Sequence, residues 1–243
     1  MNIELSDITR ALTLFCLVTC LNITFIDNSL AAPKERRDYI GLSFTGSRGE
    51  IEDITATGFT NLLQVRNSFD VSAGFGLTRG YRWKNIPIHS EIEISHRLRY
   101  DVDVRDEIQN HSEASETNPN VGWEMNVSST SILISAAYDF RSHESLTPYL
   151  GGGIGWVQNT TDTEREALLN RNNPERASFS TNNLIWSLML GAIWDWNEKW
   201  GIDIGYRYKD LGEIKTATFS SLESVQAAEF FSHDINITVL RRF

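Results

Sequence analysis

Two segments of the sequence carry acidic and basic side chains at alternate positions, with apolar residues between them. The charged residues that share this spacing are Glu91, Glu93, Arg97, Arg99, Asp203, Arg207 and Lys209. Alternate side chains of a strand point to the same face, so each segment gathers its charges on one side. Charges that face one another away from water must pair, and a row of pairs can seal a passage or line an ion path. The spacing predicts a buried charge network, to which Asp70 and Asp195 are further candidates.

The histidines do not form the pattern of a nucleophilic active site. Such a site needs a nucleophile, a histidine and an acid that face one another. His96 is predicted on one face of its strand and Ser95 on the other, while His111 and His143 fall in a predicted loop and a predicted turn. The glycine run 151–155 lies inside a predicted strand, with no helix after it to bind a phosphate. No metal-ligand spacing stands out. The sequence therefore predicts a protein that is not an enzyme and has no cofactor.

The amino-terminal segment is predicted to be removed from the mature protein. Both cysteines, Cys16 and Cys20, lie there in an apolar stretch that is short for a bilayer span. The stretch is followed by Ser29-Leu30-Ala31, a pattern typical of a signal-peptidase site. We predict a signal peptide over residues 1–31 and a mature chain without thiols over residues 32–243. A retained membrane anchor and a lipoprotein modified at Cys20 are the alternatives.

After residue 37 the apolar residues recur with a period of two, which is typical of strands. The alternating segments are 38–47, 69–78, 88–100, 130–140, 147–157, 183–195, 200–209 and 234–243. Short links alternate with long ones, which lie near 48–68, 101–124, 158–182 and 211–231. This arrangement predicts an all-β protein, an eight-stranded antiparallel up-and-down transmembrane β-barrel with polar loops at one end. A mean hydropathy of −0.28 agrees with this prediction, because only every second residue of a barrel strand faces lipid.

Aromatic residues cluster where the predicted strands meet the short links. They are Tyr81, Trp83, Tyr138, Phe140, Tyr149, Trp194, Trp196, Trp200 and Phe243. A second set, predicted for the opposite end of the strands, is Phe44, Tyr100, Trp156 and Tyr208. Indole and phenol rings favour the boundary between lipid and water, so each set is predicted to form a ring at one membrane interface.

The last predicted strand carries a further pattern. It points Ile235, Ile237, Val239 and Phe243 to one face and ends on an aromatic residue. This resembles the membrane-insertion signal that outer-membrane proteins present to the barrel-assembly machinery. Such signals usually carry a second aromatic residue two positions before the last, where this chain has Arg241.

The segments 138–140, 147–156 and 191–208 resemble the small outer-membrane β-barrel family. That family includes the OmpA-like transmembrane domain and the opacity-type surface antigens. The resemblance implies an outer-membrane location reached through the periplasm. It also implies that the partners are outer-membrane lipid and, during assembly, periplasmic chaperones and the barrel-assembly machinery.

The leading functional prediction is a non-enzymatic surface barrel. Its four long loops would contact host or environmental ligands or support the envelope, since recognition often lies in loops on a rigid scaffold. A narrow porin-like channel for ions or small solutes is the alternative, and a lipid A-modifying enzyme is a third. The net charge of −10, without basic runs interleaved with aromatics, argues against a nucleic-acid partner.

Overall fold

The structure, a computed structural model, describes residues 37–57, 63–106, 121–140, 145–167, 174–219 and 224–243. The predicted signal peptide lies outside these residues, as do His111 and His143. All regular elements in the described part are strands: β1 (Asp38–Thr57), β2 (Leu63–Asn67), β3 (Phe69–Arg82), β4 (Ile88–Asp106), β5 (Val121–Asp139), β6 (Leu146–Ala167), β7 (Glu175–Asp195), β8 (Trp200–Lys215) and β9 (Ser224–Arg242). Within these same ranges no helix is long and apolar enough to cross a membrane.

The strands close into one antiparallel barrel. From β4 to β8, each strand pairs with the strand that precedes it and the one that follows it in the chain. β1 pairs with both β3 and β9 and so closes the circle. β2 pairs with β4 beside β3, and Ser68 separates β2 from β3, so these two strands share one position in the wall. The predicted eight-stranded antiparallel barrel is therefore confirmed. Closure leaves no strand edge unpaired in lipid.

Short connections lie at one end of the barrel, which we call the turn end. The strand ends that they join are Arg82 and Ile88, Asp139 and Leu146, and Asp195 and Trp200. Next to the turn end, the outer face of the described strands is mainly apolar. On β5, for example, Ile132 and Ile134 point outward and Ser131 and Ser135 point inward. This is the predicted pattern of a wall that faces lipid.

The predicted aromatic ring at the turn end is present with one exception. Trp83, Tyr138, Phe140, Trp194, Trp196, Trp200 and Phe243 are exposed on the outer face, and Tyr81 is half-buried there. Tyr149 was predicted in this ring, but it points inward and is buried. Successive side chains of a strand point to opposite faces. Since Leu150 points outward, Tyr149 lies on the inner face.

At the end opposite the turns the strands continue well beyond the predicted boundaries. β1 reaches Thr57 instead of residue 47, and β6 reaches Ala167 instead of residue 157. β5 begins at Val121 instead of residue 130. The prediction of four long loops is therefore wrong in extent, since strand occupies much of each predicted loop. We call these strand portions the extension; they are residues 48–57, 63–67, 101–106, 121–129, 158–167, 175–182, 210–215 and 224–233.

The polarity of the wall reverses in the extension. On β5, Trp123 and Met125 point inward and are buried, and Glu124 between them is exposed on the outer face. A strand surrounded by water places its polar side chains outside and its apolar ones inside, which is the opposite of a strand in lipid. The reversal indicates that the extension projects from the membrane into water.

A β-bulge in β4 changes which side chains face the interior. The pairing of β4 with β5 shifts register between Arg97 and Tyr100, so the residues after Arg97 exchange faces. The predictions for two residues are therefore wrong. Arg99 lies on the outer face instead of in the interior, and Tyr100 is buried inside instead of joining an interfacial ring.

Tyr149 on β6 fits against two glycines, Gly191 on β7 and Gly205 on β8. A Cβ atom added to either Gly191 or Gly205 would lie 2.5 Å from the hydroxyl oxygen of Tyr149. That hydroxyl donates a hydrogen bond to Asp203 at 3.2 Å. The two glycines therefore leave the space that the inward side chain of Tyr149 occupies.

We expect Gly205→Ala to lower the free energy of unfolding in detergent micelles by about 1–3 kcal/mol, because the new methyl group would overlap Tyr149. Urea titration followed by tryptophan fluorescence measures this change. Gly46→Ala is the matched control, since a Cβ added at Gly46 meets no atom within 4 Å. Equal losses in the two variants would contradict the packing role of Gly205.

Candidate functional site

The barrel interior holds several charged side chains of β4 and β8. Six of the seven residues predicted for the charge network lie there and are at most 5% exposed: Glu91, Glu93, Arg97, Asp203, Arg207 and Lys209. Their strands alternate regularly through this part of the wall, which places every second side chain inside. Arg99 is the residue of the predicted network that the structure places elsewhere.

Glu93 is the centre of the contacts between β4 and β8. Arg207 donates a hydrogen bond from Nη1 to Glu93, and it donates from Nη2 to Glu91 at 3.3 Å. Lys209 donates from Nζ to Oε1 of Glu93 at 3.2 Å. Because β4 and β8 are not neighbours in the sheet, these hydrogen bonds cross the interior and connect strands on opposite sides of the barrel.

Asp234 on β9 belongs to the same network, although it was not predicted as a site residue. It accepts hydrogen bonds from Arg97 and from Ser47, and Nζ of Lys209 lies 3.8 Å from its Oδ2 atom. The sequence contained a signal for it: Ile235 was predicted on the outer face, so the alternation of side chains along the strand already placed its neighbour Asp234 on the inner face. We call the seven residues Glu91, Glu93, Arg97, Asp203, Arg207, Lys209 and Asp234 the ionic cluster.

Two further interior candidates have other roles. Asp70 is only partly buried and accepts a hydrogen bond from the backbone N–H of Asp101 at 2.8 Å. Asp195 pairs with Arg82 at 3.2 Å and with Arg242. The three side chains come from β3, β7 and β9, so this group connects three strands at the turn end.

Arg99 forms an ion pair on the outer surface. Its Nη2 atom lies 3.5 Å from Oδ2 of Asp162, and the two side chains are 66% and 45% exposed. An ion pair that is so accessible to water contributes little to stability.

We expect Arg99→Ala to change the free energy of unfolding by less than about 1 kcal/mol, because an exposed pair is screened by solvent. The measurement is the same urea titration in micelles. A loss of several kcal/mol would mean that the guanidinium of Arg99 is buried, which would contradict the bulge in β4.

Aromatic and histidine side chains fill the interior between the ionic cluster and the turn end. Tyr39 donates to Glu91 at 2.8 Å, and Nδ1 of His89 lies 2.6 Å from Oδ1 of Asp139. The His89 ring also meets the ring of Tyr149 edge to face. Among the described residues no group of three or more His, Cys, Asp or Glu side chains is arranged to hold a metal ion.

An apolar core fills the interior of the extension and continues into the adjoining part of the barrel. Its buried members are Ile51, Tyr100, Val102, Trp123, Met125, Val127, Leu133, Val157, Ile185, Leu211, Ile214, Phe219, Val225, Ala227 and Phe230. We call this group the upper core. It was not predicted, although Trp123, Met125 and Val127 alternate visibly in the sequence. The interior thus holds an ionic layer within the lipid-facing band and an apolar layer that begins beside it and extends beyond it.

Comparison with protein families and solved structures adds to this geometry. Residues 28–243 match the family described as the outer membrane protein beta-barrel domain. No curated protein matches the chain in sequence.

Solved structures of outer-membrane barrels resemble the chain at low sequence identity. Neisserial surface protein A is 14% identical, with a TM-score of 0.46 over 85% of this chain and 97% of that one. OprG from Pseudomonas aeruginosa is 14% identical, with a TM-score of 0.45 over 85% of this chain and 96% of that one. The outer membrane protease OmpT from Escherichia coli is 7% identical, with a TM-score of 0.40 over 88% and 99% of the two chains.

Proposed function

The chain belongs to the outer membrane protein β-barrel family and resides in the outer membrane, and we propose that it is a non-enzymatic surface protein. In this proposal the lipid-embedded barrel is an anchor. The extension is a rigid extracellular platform whose outer surface contacts the surroundings. The short turns then face the periplasm, as they do in outer-membrane barrels generally.

The reversal of polarity along the strands is the observation that carries this proposal. In the extension, the upper core is apolar and the outer face bears residues such as Glu124, Glu164 and Arg176. Arg176 and Glu164 form an ion pair of 2.9 Å on adjacent strands. A wall that is folded around its own core holds such side chains in fixed positions, which suits recognition better than a mobile loop.

The contents of the interior favour the anchor over the alternative of a narrow channel. The ionic cluster bridges opposite walls, and the upper core packs apolar side chains above it. An eight-stranded barrel is just wide enough for its own side chains. Planar-bilayer recording in concentrated KCl tests this point. We expect no discrete current steps, whereas reproducible salt-dependent steps would favour the channel.

The surface role can be tested on whole cells. Wild type is compared with a variant that carries Glu124→Lys and Glu164→Lys on the outer face of the extension, in adhesion to cell monolayers and in growth with detergent. We expect the variant to lose any phenotype that the wild-type protein restores to a deletion strain. Leu188→Ala on the lipid-facing wall is the control. Equal phenotypes of the variant and wild type would overturn the platform role.

Enzymatic activity has its own test. Mass analysis of lipid A from cells with and without the protein should give the same species. A new deacylated or acyl-transferred species that depends on the protein would overturn the non-enzymatic proposal and favour the lipid A-modifying alternative.

Assembly completes the proposal. Ile235, Ile237 and Val239 on the outer face of β9, and Phe243 directly after β9, are each at least 42% exposed. This row supports a role as the signal read by the barrel-assembly machinery, after periplasmic chaperones have delivered the unfolded chain.

A further inference from the structure

The lipid-facing wall carries two arginines near the turn end, on either side of β1. Arg79 on β3 and Arg241 on β9 are both directly opposite Ile40 in the register of the sheet. All three side chains are exposed on the outer face. Neighbouring strands lie about 4.8 Å apart, so the two arginine backbones are separated by about 10 Å across Ile40. Both guanidinium groups can therefore reach a single small anion placed over Ile40.

Aromatic rings hold the guanidinium of Arg241 in place. Its Cζ atom lies 5.7 Å from the ring centroid of Trp200 and 5.4 Å from that of Phe243, within the range of cation–π attraction. Trp200 is paired with Arg241 in the register and belongs to the interfacial aromatic ring. Among the described residues Arg241 forms no ion pair, whereas Arg79 also interacts with another group of the protein. Arg241 is thus a fixed cation at the level where lipid headgroups begin.

A carboxylate lies beyond the two arginines, farther from the membrane. Asp38 is two residues before Ile40 on the same face of β1, and its side chain is exposed beside Tyr81. Two residues along a strand span about 7 Å. The order of charges from lipid toward water is therefore positive at Arg79 and Arg241 and negative at Asp38.

We propose that Arg79, Arg241 and Asp38 form a binding site for a glycerophospholipid with a primary amine in its headgroup, located in the periplasmic leaflet. Such a lipid places its phosphate at the edge of the membrane and its ammonium group one step farther into water. The phosphate accepts charge-assisted hydrogen bonds from the two guanidinium groups, and the ammonium group faces Asp38. This order matches a zwitterionic amine headgroup better than a glycerol headgroup, because both carry one phosphate charge and only the amine headgroup supplies a cation for Asp38. The site also accounts for an arginine at position 241, where insertion signals usually have an aromatic residue.

Native mass spectrometry of the purified full-length barrel tests the site. The protein in micelles is incubated with equal amounts of phosphatidylethanolamine and phosphatidylglycerol with identical acyl chains, and the retained lipids are counted. We expect wild type to retain the ethanolamine lipid preferentially. Arg241→Phe should lower the retention of both lipids roughly tenfold, because one charge-assisted contact is lost. This variant restores the usual aromatic residue of the insertion signal, so it should fold, which heat-modifiable gel migration checks.

Asp38→Asn tests recognition of the ammonium group separately from binding of the phosphate. It should abolish the preference for ethanolamine while leaving retention of the glycerol lipid at or above the wild-type level.

Arg48→Ala is the matched control. Arg48 also stacks on an aromatic ring, with Cζ 4.5 Å from the centroid of Phe69, but it lies at the opposite end of the membrane band. Unchanged lipid retention by Arg241→Phe would overturn the site. Unchanged lipid preference in Asp38→Asn would overturn the assignment of an amine headgroup.

Discussion

We expect Glu93→Gln to lower the free energy of unfolding of the barrel in detergent micelles by about 3 kcal/mol, the loss typical of a broken buried ion pair. Glu93 accepts a hydrogen bond from Arg207 and another from Lys209 at 3.2 Å, and all three side chains are at most 5% exposed. Glutamine keeps the size of the side chain and removes its charge. The variant would leave two buried cations with weaker partners, namely Glu91 at 3.3 Å and Asp234 at 3.8 Å. Urea unfolding followed by fluorescence measures the loss.

Two companion variants make the result specific to charge pairing. Glu164→Gln removes the acceptor of an ion pair whose arginine, Arg176, is 73% exposed, and it should cost less than about 1 kcal/mol. Exchange of the two charges, Glu93→Arg with Arg207→Glu, should recover part of the loss seen when Glu93 alone is reversed. An unchanged midpoint for Glu93→Gln would mean that the ionic cluster does not hold the opposite walls together.

The lipid-facing half of the barrel could be predicted because the difference in polarity between the surrounding lipid and the barrel interior determines its residue pattern. Lipid surrounds the wall there, so each strand needs apolar side chains on one face and tolerates charges only on the other. On β8 this contrast separates Ile204, which points outward, from Asp203 and Arg207, which point inward, as the alternation predicts. The contact between Glu93 and Arg207 could be predicted for the same reason, once the eight strands were arranged in a circle.

The extension could not be predicted by the same rule, because water surrounds it. Its polar side chains therefore lie on the outer face and its apolar side chains on the inner face. Trp123, Met125 and Val127 keep the period of two, but their segment is polar on average. A high share of polar residues therefore suggested a loop where the structure has a strand. The alternation itself was the signal that would have identified β5 as a strand in this region.

The positions of Arg99 and Tyr100 depend on the backbone and not on the side-chain pattern. Residues 88–100 alternate without a visible break. A bulge inserts an extra residue into one strand and exchanges the faces of all residues after it. Nothing in the types of Leu98 or Arg99 marks that insertion, so the sequence alone assigned both Arg99 and Tyr100 to the wrong face.

We expect Trp123→Ala to lower the free energy of unfolding by about 3–5 kcal/mol, the cost of removing a large aromatic side chain from a packed core. Trp123 is 1% exposed and lies in the upper core. Trp196→Ala is the matched control, because that side chain is 70% exposed at the turn end. If the two tryptophan variants lost similar stability in urea titrations, the upper core would not be a packed layer.

Combining Trp123→Ala with Glu93→Gln tests whether the two layers stabilise the barrel independently. Glu93 is opposite Leu133 in the register of β4 and β5, and Trp123 lies ten residues from Leu133 along β5. That distance is about 33 Å, so the effects of the two substitutions should add within about 0.5 kcal/mol. A double variant that loses much less than the sum would mean that one layer has little structure without the other. Additive losses would instead mean that the ionic cluster and the upper core stabilise the same barrel independently, one by charge pairing and the other by apolar packing.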